Sequence, residues 1–159
     1  MITDHSKTAC ELFAGGYNCA QSVFAAFTDV TGMDKETALK LSSSFGGGMG
    51  RLREVCGACS AMFMVLGMLY GTGEEFGYED KADHYKRIQA AAEQFKEKHG
   101  TIICRELLQG LKATSDPSPE HRTEQYYKVR PCIRFVETAA EILDKYIAEN
   151  PIDSISDNK

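Results

Sequence analysis

The stretch CGACSAMFMVLGMLY, residues 56–70, decides the fold. It carries no charge and no proline, and Ala58, Met62, Val65, Leu66 and Leu69 recur within it at helical spacing on an almost wholly apolar surface. A helix that is apolar all round is a central, fully packed one. Its apolar run is too short and too interrupted by glycine to span a bilayer, which needs about 20 residues. The helix is expected to begin at about Glu54, and Gly71 and Gly73 stop it.

Working outward, the same logic predicts helices almost throughout. Upstream, Gly46-Gly47-Gly48-Met49-Gly50 interrupts regular structure, and Asp34 opens a helix running through Phe45. Asn18 and Gln21 stand at capping-box spacing, so a helix starts with Cys19 as its first residue and carries Val23, Phe24 and Phe27 on one face. An earlier helix covers Ser6 to Ala14 and ends at Gly15-Gly16. Downstream, Glu79 to Lys98 is charged and amphipathic, the pattern of a peripheral helix. Thr101 caps a short helix with Cys104 in its first turn. Thr114 to Arg122, with Pro117 and Pro119, reads as an exposed loop, and a last helix runs from Pro131 to about Glu149. The expectation is an all-α, single compact bundle of about five to six helices over residues 1–150, with a Gly-rich loop before the central helix and a flexible tail at 151–159.

Composition narrows the class of function. The chain has 159 residues, 43% of them hydrophobic and 26% charged, enough for one proper core. A net charge of -5, with Lys and Arg scattered, argues against a nucleic-acid partner, which needs a dense basic stripe. The Met1 to Lys7 stretch has no basic region followed by an apolar one, so no secretory signal and no membrane insertion are expected. The setting expected is cytoplasmic. In that reducing compartment six cysteines point to metal binding or catalysis rather than to structural disulfides.

Cys19, Cys56, Cys59, Cys104 and Cys132 all fall at predicted helix starts. Unpaired N–H groups and the macrodipole at such positions stabilise a thiolate and lower its pKa. There is one CxxC, Cys56-Gly57-Ala58-Cys59, and no second close pair, so neither a zinc ribbon nor a ferredoxin run is present. Ser60 stands where haem attachment requires His. If the helix starts converge at one end of the bundle, Cys19, Cys56, Cys104 and Cys132 form a four-cysteine site with N–H donors aimed at sulfur. Alternatively Cys56 is the nucleophile of a thiol-disulfide couple, resolved by Cys59 or a distant cysteine. Cys59 and Cys10 taken alone read as buried thiols.

Gly46 to Gly50 lacks the ending of a Walker loop and has no strand before it. Gly46, Gly47, Gly48 and Gly50 instead suit a backbone wrapped around a bulky group, with N–H donors for sulfur and Arg51 or Arg53 balancing charge. His5, His84, His99 and His121 lack ligand spacing and read as surface residues. Tyr17, Tyr70, Tyr78, Tyr126 and Tyr127 suit either core or cleft.

Gly16-Tyr17-Asn18-Cys19-Ala20-Gln21, Gly46-Gly47-Gly48-Met49-Gly50-Arg51, Cys56-Gly57-Ala58 and the later Cys104 and Cys132 together resemble the redox-active proteins named for their C_GCAxxG_C_C cysteine pattern. Ala61 stands where that pattern has Gly. The resemblance implies a small redox-active protein whose family cysteines are Cys19, Cys56, Cys104 and Cys132. The family's similarity to the cluster-bearing part of split-Soret cytochromes implies iron-sulfur ligation, expected as [2Fe-2S], in electron transfer or redox sensing with a redox partner protein. Zinc is the alternative metal, and a structural zinc protein or a partner-binding helical module is the alternative role.

Overall fold

The computed structural model describes residues 4–152 and is all-α. Six helices have eight residues or more: His5–Ala14, Cys19–Ala26, Lys35–Ser42, Gly57–Tyr70, Tyr78–His99 and Cys132–Glu149. Short helices at Thr28–Thr31, Cys104–Leu107 and Glu124–Val129 and a 3-10 turn at Ser43–Phe45 join them. Among the described residues there is no strand, and Val55 and Ile103 form an isolated antiparallel bridge. The greater part of the expected tail, residues 153–159, lies outside the described residues.

The Gly57–Tyr70 helix is central, as its apolar surface predicts. It packs against the Cys19–Ala26, Tyr78–His99 and Cys132–Glu149 helices. Ala58, Cys59, Ala61, Met62, Val65 and Leu66 are buried along it. The C-terminal helix presents Val136, Ala139, Ala140 and Leu143 at spacings of three and four, all buried. Phe13, Phe24, Phe27 and Phe95 fill the largest buried positions. Each such side chain contributes on the order of 2 kcal/mol by leaving water.

Three boundaries differ from the sequence reading, each for a physical reason. The third helix ends at Ser42, whose hydroxyl donates to Ala38 O at 2.7 Å, and tightens into the 3-10 turn. The central helix starts at Gly57 and not at Glu54, because the preceding residues pair with another segment. Cys56 N–H donates to Ile102 O at 2.8 Å and Cys104 N–H to Glu54 O at 2.6 Å. The unforeseen Glu124–Val129 helix is capped by Thr123, whose hydroxyl accepts from Tyr126 N–H at 3.2 Å.

His5 corrects a second expectation. It is 6% exposed, stacked on Phe27 at 4.2 Å, with Nδ1 2.5 Å from Asp144 Oδ1 and Nε2 2.9 Å from both Asp29 oxygens. Burial opposes its charge, but the bonds to Asp144 and Asp29 outweigh that and raise its pKa to about 9. His5 thus ties the N-terminal helix to Thr28–Thr31 and to the C-terminal helix.

Candidate functional site: a four-thiol cavity

The four family-pattern cysteines open onto one cavity. Cys19, Cys104 and Cys132 are the first residues of their helices, and Cys56 is the cap of the central one. All four line one cavity of about 450 Å3. They are electrostatically coupled as well: Cys56 and Cys104 act on Cys19, and Cys19, Cys56 and Cys104 act on Cys132.

Each thiol is placed by local hydrogen bonding. The predicted capping box is formed, with Gln21 N–H on Asn18 Oδ1 at 2.9 Å and Asn18 N–H on Gln21 Oε1 at 3.1 Å, which sets Cys19 at the helix start. Asn18 Nδ2 also donates to Ser43 O at 3.1 Å, joining that start to the segment entering the Gly-rich loop. The pairing of residues 53–56 with 102–105 fixes Cys56 beside Cys104. Pro131 caps the last helix, and Cys132 follows it.

The Gly-rich loop forms a left-handed turn. Gly47, Gly48, Met49, Gly50 and Arg51 have φ of 66, 70, 67, 58 and 66°, and Arg53 has 61°. Bonds from Arg51 N to Gly46 O, Arg53 N to Gly47 O and Glu54 N to Gly48 O close it. Glycine adopts this conformation freely, whereas Met49, Arg51 and Arg53 each cost roughly 1–2 kcal/mol there. Gly46, Gly47 and Gly50 line the cavity. Gly48 backs Cys104, where a Cβ would stand 2.6 Å from the Cys104 Cβ. The Gly47 and Ala20 backbone N–H groups favour the charged form of Cys19 against burial. Three of the four loop glycines thus stand at the cavity and the fourth behind Cys104.

The thiol pKa values run opposite to the helix-start expectation. Burial outweighs the dipole and pushes Cys19 and Cys132 up to about 12. Cys56 is raised well above the ordinary value by donating to Cys59 and by burial. Cys104 is raised by burial, against the pull of Arg53, whose Nη1 lies 3.7 Å from its sulfur. Cys56 is 5% exposed.

Arginines close the cavity, and all but Arg51 and Arg53 escaped the sequence reading. Arg130 Nη2 donates to Lys112 O at 3.0 Å, Arg53 Nε to Thr114 O at 3.0 Å and Arg51 Nε to Asp116 O at 2.7 Å. Three alternate carbonyls of the 112–116 segment are thus held by three arginines of the cavity lining. Arg130 also pairs with Glu120 at 2.6 Å. Arg122 donates to Phe13 O and Tyr17 O and lies over the Phe13 and Tyr126 rings. Tyr126 lines the cavity, and burial raises its pKa to about 12. The position of Arg130 just before Pro131-Cys132 was the one available signal for it, and position alone does not reveal a partner 18 residues away.

Cys59 is 0% exposed within the central helix, and Cys10 lies by Asp4, Glu11 and Glu137 beside a different hollow. Neither lines the thiol cavity, nor does any histidine.

The four cavity thiols are the residues that could hold a thiolate-ligated metal centre. Tetrahedral zinc with Zn–S near 2.3 Å would bring four sulfurs within about 3.8 Å of each other. Among the described residues no three Cys, His, Asp or Glu side chains form such a group. The buried Arg53 Nη2 has no hydrogen-bond partner among the described residues.

No helix among the described residues is long and apolar enough to cross a membrane. No curated protein and no solved structure matches the chain. The model of one family, described as "Putative redox-active protein (C_GCAxxG_C_C)", matches residues 17–146, a span that holds all four cavity thiols and the whole Gly-rich loop. The chain belongs to that family of redox-active proteins.

Proposed function

We propose that the protein is an electron-transfer or redox-sensing protein in which Cys19, Cys56, Cys104 and Cys132 hold an iron-sulfur cluster, as [2Fe-2S]. The observation that carries this is the convergence of four helix-start thiols, far apart in sequence, on one cavity. When bound, the cluster supplies a one-electron couple at thiolate-ligated iron. The chain's own residues do the rest. Gly47 and Ala20 N–H groups stabilise the Cys19 sulfur, Arg53 offsets charge at Cys104, and the arginine-held 112–116 segment limits water. Binding would displace the four thiol protons, and the positive charge of the metal would offset the burial penalty on the thiolates. A redox protein is the partner class in this reading. A reducing, cytoplasmic setting belongs to it too, since all six cysteines are free.

Anaerobic reconstitution followed by iron and sulfide analysis and visible and electron paramagnetic resonance spectra tests the reading. Near-equal iron and sulfide and a coloured protein are expected. Cys→Ala at each of the four positions abolishes colour, while Cys10→Ala and Cys59→Ala retain it. A colourless wild-type chain under those conditions overturns the proposal, and bound zinc in place of iron and sulfide overturns the choice of cofactor.

A further inference from the structure

Cys59 stands outside the four family-pattern thiols, yet it is tied to one of them. Cys56 is the cap of the central helix and Cys59 its third residue. A cap side chain and a third-residue side chain lie on the same side of a helix start, the relation a capping box uses. Residues so spaced fall within the roughly 4.4–6.8 Å between Cα atoms that a disulfide spans. A side-chain hydrogen bond joins the two thiols, and Cys59 stands ahead of every family thiol among the influences on Cys56. Both are free.

The two sulfurs differ in what can reach them. Cys56 lines the thiol cavity, whereas Cys59 is 0% exposed and does not. A solute entering the cavity therefore meets Cys56, and Cys59 acts only through Cys56, from inside the helix. Cys56 is also the one member of the pair that belongs to the four-thiol site. A sulfur held in a disulfide is no longer a thiolate, and the thiolate is the metal ligand.

We propose that Cys56 and Cys59 form a reversible disulfide that takes Cys56 out of the four-thiol site, so that Cys59 makes metal loading of this chain dependent on redox state. The Cys56 thiolate attacks one sulfur of a low-molecular-weight disulfide, breaking its S–S bond and releasing one small thiol. Cys59 then attacks Cys56 Sγ, which forms the protein disulfide and releases the second small thiol. Two electrons pass from the cysteine pair to the small disulfide, and the two cysteine protons end on the released thiols. Cys19, Cys104 and Cys132 are left as an incomplete ligand set. The gating rests on the four-thiol metal reading; the disulfide does not.

The metal-free chain, equilibrated over hours with mixtures of 2-mercaptoethanol and its disulfide, alkylated and cut with trypsin, tests the bond. The tryptic peptide 54–81 contains Cys56 and Cys59 and no other cysteine, so loss of two hydrogens within it identifies their disulfide. That loss is expected in wild type as the mixture becomes oxidising. In the same mixture Cys59→Ala should keep an alkylatable Cys56, because excess thiol returns the mixed disulfide when no second sulfur captures it. Desalted samples are then titrated with cadmium and followed by thiolate-to-metal absorption. Oxidised wild type should bind at least tenfold more weakly than reduced wild type and recover with dithiothreitol, while Cys59→Ala taken through the same mixture binds like its reduced form. A wild-type Cys56 that stays alkylatable in every mixture, carries only the small thiol or links to another peptide overturns the proposal. So does cadmium affinity unchanged by the bond, or a reduced chain that takes up no cadmium. If Cys59→Ala loses its helical circular dichroism, Cys59→Val replaces it and refills the space; the wild-type peptide map decides the bond without a variant. Failure of the iron-sulfur reading shows separately, as missing iron and sulfide after reconstitution.

Discussion

Gly57 lies directly against Cys19: a Cβ on Gly57 would stand 2.5 Å from the Cys19 sulfur and 2.7 Å from Phe45 O. The first residue of the central helix is therefore what lets the first residue of another helix put its thiol into the cavity. Gly57→Ala tests this. Alanine gains about 1 kcal/mol of helix propensity, but a contact this short with a sulfur and a carbonyl forces a backbone shift costing roughly 1–3 kcal/mol. The clash wins. Urea denaturation should show net destabilisation, and the folded variant should take up less iron and sulfide than wild type. Unchanged stability with full loading would show that the helix starts are not in the contact described.

The Gly-rich loop separates two uses of glycine that the sequence shows as one run. Gly50 has φ 58° with its nearest obstacle 3.8 Å away, so Gly50→Ala meets only the left-handed penalty, about 1 kcal/mol. Gly48 has φ 70° and a Cβ there would strike Cys104 Cβ, Arg53 Cα and Glu54 N at 2.6–2.8 Å. Gly48→Ala should cost several times as much, on the order of 3 kcal/mol or more. Equal losses at the two positions in denaturant melts would contradict the tight backing of Cys104.

What the sequence made legible here follows from the range of each interaction. The capping box at Asn18 and the apolar faces of the long helices are local patterns, and both appear as read. The helix-start positions of Cys19, Cys56, Cys104 and Cys132 were legible too, since helix starts can be found locally. The Val55–Ile103 bridge, the Arg130 hold on Lys112 and the His5 cluster join residues far apart in the chain. No spacing rule encodes such contacts. The thiol pKa direction was misjudged for the same reason: the dipole is local to a helix start, while burial belongs to the whole packed cavity.

His5 gives the stability a pH dependence with a defined sign. Its folded pKa, raised from 6.5 to about 9, means that the protonated form is the one the Asp144 and Asp29 contacts favour. This contribution is fully present below pH 6.5 and is lost as pH rises through about 9. Asp29 is half exposed, so water screens part of it, leaving about 2 kcal/mol. The difference in unfolding free energy between wild type and His5→Gln should fall by that amount from pH 6 to pH 10. Subtracting the variant cancels the titration of the cysteines over the same range. A difference independent of pH would mean that His5 is held by packing on Phe27 alone.

Arg130 tests whether the 112–122 segment shields the thiols. Its guanidinium is buried, holds Lys112 O and Glu120, and lies beside the Cys132 helix start. In Arg130→Met the Glu120 carboxylate, already partly exposed, returns to water, but the segment loses its charged anchor. The expected result in the metal-free protein is faster alkylation of Cys132 and Cys104 by iodoacetamide, at least fivefold. Overall destabilisation would also speed alkylation, and Cys59 distinguishes the two. It is 0% exposed within the central helix, so its reaction reports on opening of the core. Release of the segment raises the Cys132 rate relative to Cys59; a parallel rise at both would show that Arg130 supports the whole fold and does not hold a cover over the site.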